Sequence, residues 1–78
     1  MSRETLVNLN TAKKLNEFSK IVSNFKSDIN IYSGAAYYDA KSIMALLSLD
    51  RSKPKKIEII SNDEEEIKRF HENMEVFK

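Results

Sequence analysis

The spacing of apolar residues changes from a helical period to a strand period near residue 25, and this change constrains the fold more than any other feature. Before it, apolar side chains recur at steps of three and four, as on one face of a helix. They are Leu15, Phe18, Ile21, Val22 and Phe25. After it, Ile29 and Ile31 alternate with polar residues, as in a strand with one buried face. Because each apolar face must be covered by another layer, the chain needs helices packed on a sheet.

Strands and helices are predicted to alternate along the rest of the chain. The strand-forming segments are residues 4–9, 28–32, 36–38 and 57–60. Asn10 or Thr11 offers a cap for the first helix, and Ser33-Gly34 forms the turn of a hairpin. A short second helix follows Ser42, and the polar residues 50–56 read as a loop.

The last helix is predicted to begin within residues 61–66, where Asp63 to Glu66 form a solvated acidic start. Its apolar stripe consists of Ile67, Phe70, Met74 and Phe77. The resulting order βαββαβα predicts an α+β fold, with three helices on one face of a four-stranded antiparallel sheet.

Composition limits the classes of function. The 78 residues predict a single domain over residues 1–78. The 13 basic and 12 acidic side chains nearly cancel, which gives no support to nucleic-acid or membrane-surface binding. Cysteine is absent and histidine occurs once, so no disulfide, metal site or cofactor is predicted. No apolar run reaches the roughly 20 residues that span a bilayer, and no signal peptide is recognised, so a cytoplasmic location is predicted.

The segment Ala40–Leu49 contains the strongest functional signal. Ser42 is placed as the N-cap of a short helix on which Leu46 and Leu49 share one face. Three other apolar side chains lie on the neighbouring face, namely Ile43, Met44 and Leu47. Because a helix of two turns presses only one face into a small core, this second face is predicted to stay exposed and to dock a protein partner.

Two stretches and the order of elements resemble the HPr family, the histidine-containing phosphocarriers of the bacterial phosphotransferase system. Lys41-Ser42-Ile43-Met44 is similar to the family's regulatory-serine segment, and Phe25-Lys26-Ser27-Asp28-Ile29 is similar to the segment before it. The strand at Ile57 and the acidic helix start then follow in the family's order. The resemblance implies the HPr-like open-faced β-sandwich.

The family's phosphoryl-carrying histidine is missing from its expected place. In the family, an L-H-x-R-P turn before the first helix supplies that histidine and an arginine that stabilises the charge. Counting back from Ser42 by the family's spacing places Thr11 at the histidine position and Lys13 at the arginine position. A threonine without a nearby base cannot carry phosphate, so no catalytic residue and no enzymatic activity are predicted. The only histidine, His71, is predicted at the margin of the last helix's apolar stripe.

The resemblance implies a regulatory role for Ser42, beside that of a simple helix cap. In HPr-like proteins the corresponding serine is phosphorylated by an HPr kinase, and the phosphoprotein docks on a catabolite-control repressor. Met44 and Leu47 match positions of that docking surface, and Lys41 and Lys13 supply positive charge near it. Crh-type members lack the histidine, keep the serine and act only in regulation.

The leading hypothesis is a Crh-like regulatory or adaptor protein that binds protein partners and is phosphorylated at Ser42. The partners implied are an HPr kinase, a catabolite-control-type regulator or components of the phosphotransferase system. Two alternatives stay open, a working phosphocarrier of that system and a decayed HPr-like domain with an unrelated binding role. A monomer and a dimer formed by strand exchange are both compatible with the sequence.

Overall fold

The computed structural model describes all 78 residues and confirms the predicted order of strands and helices. The strands are β1 (Glu4–Val7), β2 (Asp28–Ser33), β3 (Ala36–Asp39) and β4 (Lys55–Ile60). The helices are α1 (Ala12–Val22), α2 (Ile43–Ser48) and α3 (Glu64–Met74), followed by a 3₁₀ turn at Glu75–Phe77. The strands form one antiparallel sheet in the order β1-β4-β2-β3, which makes the predicted α+β fold with three helices. None of these helices has the length and hydropathy that crossing a bilayer requires.

The core lies between one face of the sheet and the helices. Alternate residues of the two central strands are fully buried, as expected for strands with one covered face. They are Ile29 and Ile31 in β2 and Ile57 and Ile59 in β4. The apolar stripes predicted for the first and last helices are buried against them, except that Ile21 is only partly buried.

Two pairs of aromatic rings join the first helical region to the last. Phe18 of α1 meets Phe77 edge-on with ring centroids 5.6 Å apart. Phe25, after α1, meets Phe70 of α3 in the same way at 6.3 Å. Each such pair contributes about 0.5–1.5 kcal/mol beyond the burial of its area. The helices are therefore held to one another as well as to the sheet.

Strand boundaries differ from the prediction where a distant strand decides them. β4 begins at Lys55, inside the predicted loop, because Lys55 pairs with Val7 of β1. β1 ends at Val7 instead of Leu9, and the next residue, Asn8, donates its N–H to the carbonyl of Phe77 at 2.6 Å. The hydrogen bonds that set these ends come from segments far away in the chain.

The β2–β3 hairpin leads the chain into α2. Its turn residues are Gly34 and Ala35, one residue later than predicted, and Gly34 has a φ of 62°, which glycine adopts at little cost. After β3, Ala40 is fully buried and donates its N–H to the carbonyl of Ile29 at 2.8 Å. This bond holds the chain against the sheet just before α2 begins.

Candidate functional site

Helix α2 is held by a side-chain cap at its start and by one buried leucine. The Ser42 hydroxyl oxygen accepts the Ala45 N–H at 3.3 Å, which confirms the predicted N-cap. Just before it, Asp39 accepts the N–H of Lys41 on its carboxylate at 2.9 Å and that of Ser42 on its carbonyl at 3.0 Å. Leu46 is the only buried residue of the helix. The backbone N–H groups of Lys41, Ser42 and Ala45 at the start of α2 are therefore hydrogen-bonded. The helix packs into the core through one fully buried side chain, that of Leu46.

Three apolar side chains of helix α2 are exposed to water. They are Ile43, Met44 and Leu47, and we call them together the α2 face. Their exposed fractions are 42%, 80% and 61%. Helices α1 and α3 expose no large apolar side chain. The exposure predicted for these residues is confirmed, and exposed apolar side chains that lie together are typical of a docking surface.

The two lysines predicted near the docking surface lie in different environments. Lys41 is half-buried, and its ammonium donates to the carbonyl of Phe25 at 2.5 Å. Phe25 lies between α1 and β2, so Lys41 ties the entrance of α2 to that connection. Lys13 is exposed in the first turn of α1 and forms no ion pair. The ammonium of Lys13 is therefore not paired with a carboxylate of the chain, whereas that of Lys41 is engaged within the protein.

Thr11 is the N-cap of α1. Its hydroxyl oxygen accepts the Lys14 N–H at 3.1 Å, and its carbonyl accepts the Leu15 N–H at 3.0 Å. The Lys14 ammonium donates to the Asn10 side chain at 3.4 Å. No carboxylate or imidazole is hydrogen-bonded to the Thr11 hydroxyl, so no general base is placed to activate it.

His71 lies at the other end of β1 from Thr11. Its Nε2–H donates to the carbonyl of Ser2, and its ring packs edge-on against Phe70 with centroids 5.4 Å apart. Ser2 precedes β1 and Thr11 follows it. The four residues of the strand span about 10 Å. No group of three or more His, Cys, Asp or Glu side chains is arranged to hold a metal ion.

One functional group that the sequence interpretation misplaced is Glu66. The prediction that Asp63 to Glu66 form a solvated helix start is wrong for Glu66, which is 3% exposed. Its carboxylate accepts the N–H and the O–H of Ser27 at 3.3 and 2.5 Å. These bonds from Ser27, together with one from the Ser61 side chain, lower the pKa of Glu66 although burial raises it. The available signal was helical spacing, since Glu66 lies one turn before Phe70 on the buried side of α3.

An open cleft of about 520 Å³ lies beside Glu66, between the start of β1 and the start of α3. Arg3 spans it, donating from Nε to the Ser61 carbonyl at 2.6 Å and from Nη2 to the Asn62 side-chain oxygen at 2.9 Å. Arg3 and Glu66 thus both have partners within the protein. Their hydrogen bonds connect the start of α3 to β1 and to the start of β2.

Both the sequence and the fold of this chain are similar to those of known proteins. A sequence model described as the PTS HPr component phosphorylation site matches residues 11–77. The fold is similar to that in the crystal structure of HPr-C-His from Thermoanaerobacter tengcongensis, with a TM-score of 0.69 and 24% sequence identity. That alignment covers 92% of this chain and 90% of the other. No curated protein sequence matches this chain.

The residues that match the family model include nearly all of the elements described above. They begin at Thr11, the N-cap of α1, and continue through Ser42 and the α2 face. They end at Phe77, in the turn that follows α3. The chain therefore belongs to the HPr family, the phosphocarrier component of the phosphotransferase system.

Proposed function

We propose that this protein is a regulatory or adaptor member of the HPr family, which acts by binding a protein partner through the α2 face. The observation that carries this proposal is the exposure of Ile43, Met44 and Leu47 on a helix whose only buried residue is Leu46. An apolar side chain left in water forgoes about 1.5–3 kcal/mol of burial free energy. In a chain of 78 residues, whose core is small, a partner that covers these side chains accounts for their presence.

Phosphorylation of Ser42 is the proposed switch of this interaction. The Ser42 oxygen accepts the Ala45 N–H, while its own proton has no acceptor within the protein, which leaves the hydroxyl available to a kinase. A phosphate would place about −1.5 to −2 charges directly beside Ile43 and Met44 at neutral pH. Its oxygens would also accept N–H groups of the first turn, so the helix would stay capped.

Two observations support the absence of a histidine-dependent phosphoryl relay. The Thr11 hydroxyl caps α1 and has no general base beside it. The one imidazole of the chain, that of His71, donates to the Ser2 carbonyl beyond the opposite end of β1. A relay needs a nucleophile that accepts and releases a phosphoryl group at neutral pH, and an activating group in contact with it. We therefore propose that the protein acts by binding and not by phosphoryl transfer.

Incubation with Enzyme I and phosphoenolpyruvate tests the proposed loss of the relay. We expect no acid-labile phosphate on this protein, while a histidine-containing HPr in the same reaction becomes labelled. Acid-labile phosphate on this protein would contradict the proposal. The variant His71→Ala would then report whether His71 carries the phosphate.

A working phosphocarrier is the second candidate function. It is favoured by the family match itself, because the matching model is described by a phosphorylation site and covers residues 11–77. Under this alternative His71, the only histidine of the chain, would accept the phosphoryl group, and the Enzyme I reaction would place acid-labile phosphate on the protein. The same experiment therefore separates the two candidates.

Binding to a catabolite-control-type repressor tests the α2 face. We expect an HPr kinase to modify Ser42, and the phosphorylated protein to bind the repressor. Met44→Ala should weaken that binding about tenfold or more, as truncation of a central interface residue does. Val76→Ala is the matched control, since Val76 is 67% exposed and lies outside the α2 face. An unmodified Ser42, or equal binding by the two variants, would contradict the proposal.

A further inference from the structure

The sheet has a second face, on the side away from the helices, where side chains form two rows across the four strands. The register forms the first row from Leu6, Lys56, Tyr32 and Tyr37. The neighbouring row consists of Glu4, Glu58, Asn30 and Asp39. Fully buried residues alternate with these along β2 and β4, so both rows point away from the core. We call the two rows together the outer sheet face.

The first row already holds one cation between an aromatic ring and a carboxylate. The Lys56 ammonium lies 4.5 Å from the centroid of the Tyr32 ring and 3.7 Å from a carboxylate oxygen of Glu4. The Tyr32 hydroxyl donates to Glu58, and this hydrogen bond raises the pKa of Tyr32. The ring is therefore neutral and held in position beneath the ammonium.

Tyr37 and Asp39 repeat this combination of a ring and a carboxylate on β3. The centroid of the Tyr37 ring lies 5.8 Å from that of Tyr32, and Tyr37 is 65% exposed. No lysine or arginine of the chain lies over the Tyr37 ring. Asp39 follows two residues later on the same strand, so its side chain leaves the sheet on the same side. The outer sheet face thus offers a second ring and carboxylate to a cation from outside the chain.

The charge of the two rows is complementary to a cationic partner. Three carboxylates, those of Glu4, Glu58 and Asp39, accompany one ammonium, that of Lys56. The formal net charge of the whole chain is +1, so this face differs in sign from the remainder of the molecule. An acidic row repels phosphate groups, which disfavours nucleic acids as occupants of this face.

We propose that the outer sheet face binds an extended cationic segment of a partner protein, with an arginine or lysine of that segment stacked on Tyr37 and paired with Asp39. Alternate side chains of an extended segment lie about 6.6 Å apart on one side, which is also the spacing of Tyr37 and Asp39 along β3. Successive cations therefore meet the tyrosine row and the acidic row in turn. Arginine fits best, because its guanidinium both stacks on rings and bonds carboxylates in a bidentate manner.

This face is separate from the surface proposed for regulation. The α2 face lies on the helical side of the sheet, and the outer sheet face lies on the opposite side. Both surfaces can therefore be occupied at once, so that the protein bridges two partners. Asp39 is the one residue that links the two surfaces, because it accepts the N–H groups of Lys41 and Ser42 at the start of α2. Tyr37 and Met44 each belong to one surface only, so their variants test the two proposals separately.

An arginine peptide tests the proposal by NMR. The probe is an extended heptapeptide in which arginine alternates with glycine, and a peptide with glutamate in place of arginine is the control. We expect saturable amide shifts with the arginine peptide around Tyr37, Asp39 and Lys56, and none with the glutamate peptide. Shifts centred on the α2 face would overturn the proposal. Concentration-dependent shifts of the protein alone at these residues would also overturn it, because the face would then belong to a second copy.

Two matched pairs of variants separate local recognition from net charge. Tyr37→Leu should weaken peptide binding about threefold by removing one exposed cation–π contact, whereas Tyr38→Leu, which alters the opposite side of β3, should leave it unchanged. Asp39→Asn keeps an oxygen for the Lys41 N–H and removes the charge. Glu72→Gln removes the same charge from an exposed position on α3. Only the first member of each pair should weaken binding, and equal effects within either pair would overturn the proposal.

Discussion

Helices α2 and α3 lie on the same side of the sheet and both begin with a capped first turn, but they bury different shares of their apolar side chains. Asp63 caps α3 by accepting the N–H groups of Glu65 and Glu66, as Ser42 caps α2. Helix α3 then buries its whole apolar stripe, whereas α2 buries only Leu46. Similar local signals thus produce one helix that belongs to the core and one that keeps most of its apolar surface in water.

Length and contacts account for the difference. Helix α3 has 11 residues and reaches the aromatic rings of the first helical region through Phe70 and the following Phe77. Helix α2 has six residues, and the chain on either side of it is held by Ala40 and, partly, by Leu49. Burial free energy is roughly proportional to the apolar area removed from water. The stability of the fold therefore depends on α3 far more than on α2.

Phe70→Ala should have the largest effect, because it removes a fully buried ring from α3. The free energy of unfolding should fall by about 3–5 kcal/mol, from the lost transfer free energy and the cavity left behind. The total free energy of unfolding of a chain of this size is about 4–12 kcal/mol. Equilibrium urea unfolding of the variant should therefore show a much lower midpoint or no folded baseline. A loss below about 1 kcal/mol would remove the distinction between the two helices.

Two adjacent leucines of α2 give the next largest effect together with its control. Leu46→Ala should lower the free energy of unfolding by about 2–4 kcal/mol, because Leu46 is fully buried. Leu47→Ala should change it by less than about 0.5 kcal/mol, because that side chain lies in water. Urea unfolding of both variants measures the difference. Equal losses would show that α2 is packed on both sides.

Glu66→Gln should cost about 1–2 kcal/mol at neutral pH, because an amide replaces a carboxylate that accepts two bonds from Ser27. The pKa of folded Glu66 lies below its ordinary value of 4.5, so its stabilising contribution is complete above pH 4.5 and is lost as the pH falls through the folded pKa. The difference between wild type and variant in urea unfolding should therefore shrink in acid. Glu65→Gln is the control, since it makes the same replacement at an exposed position in the same turn. Equal losses of stability in the two variants would contradict the role given to the buried carboxylate.

Ser42→Ala should have the smallest effect of the four. Loss of the N-cap of α2 costs about 1 kcal/mol in thermal or urea unfolding. Ser48→Ala, at the last residue of the same helix, should stay within about 0.5 kcal/mol of the wild type. A loss as large as that of Leu46→Ala would show that the cap, and not the buried leucine, holds α2 on the core.

Interactions within a few residues made much of the fold predictable. The stripes of α1 and α3 follow from helical spacing, and the caps at Thr11 and Ser42 follow from side-chain oxygens placed before apolar segments. The exposure of the α2 face was predictable for a similar reason, since a two-turn helix has more apolar sides than a small core covers. The roles of Ser42 and of the α2 face remain predictions.

Contacts between distant segments were not predictable from local patterns. The carboxylate of Glu66 accepts hydrogen bonds from Ser27, which lies 39 residues earlier. The ammonium of Lys41 donates to the carbonyl of Phe25, which lies 16 residues earlier. The first two residues of β4 become strand because they pair with β1, although their own sequence is that of a polar loop. In each case the partner is set by how separate elements pack.

By itself, the sequence determined which segments form helices and strands, where α2 begins and which side chains of α2 stay exposed to water. These properties depend on spacing, capping and turn residues, all of which act over a few positions. Only the tertiary structure decided that Glu66 is buried, that Lys41 is engaged within the protein and that Tyr37 lies in a row with Lys56 and Tyr32. The physical reason is that strand register and helix packing bring together residues that are far apart in the chain.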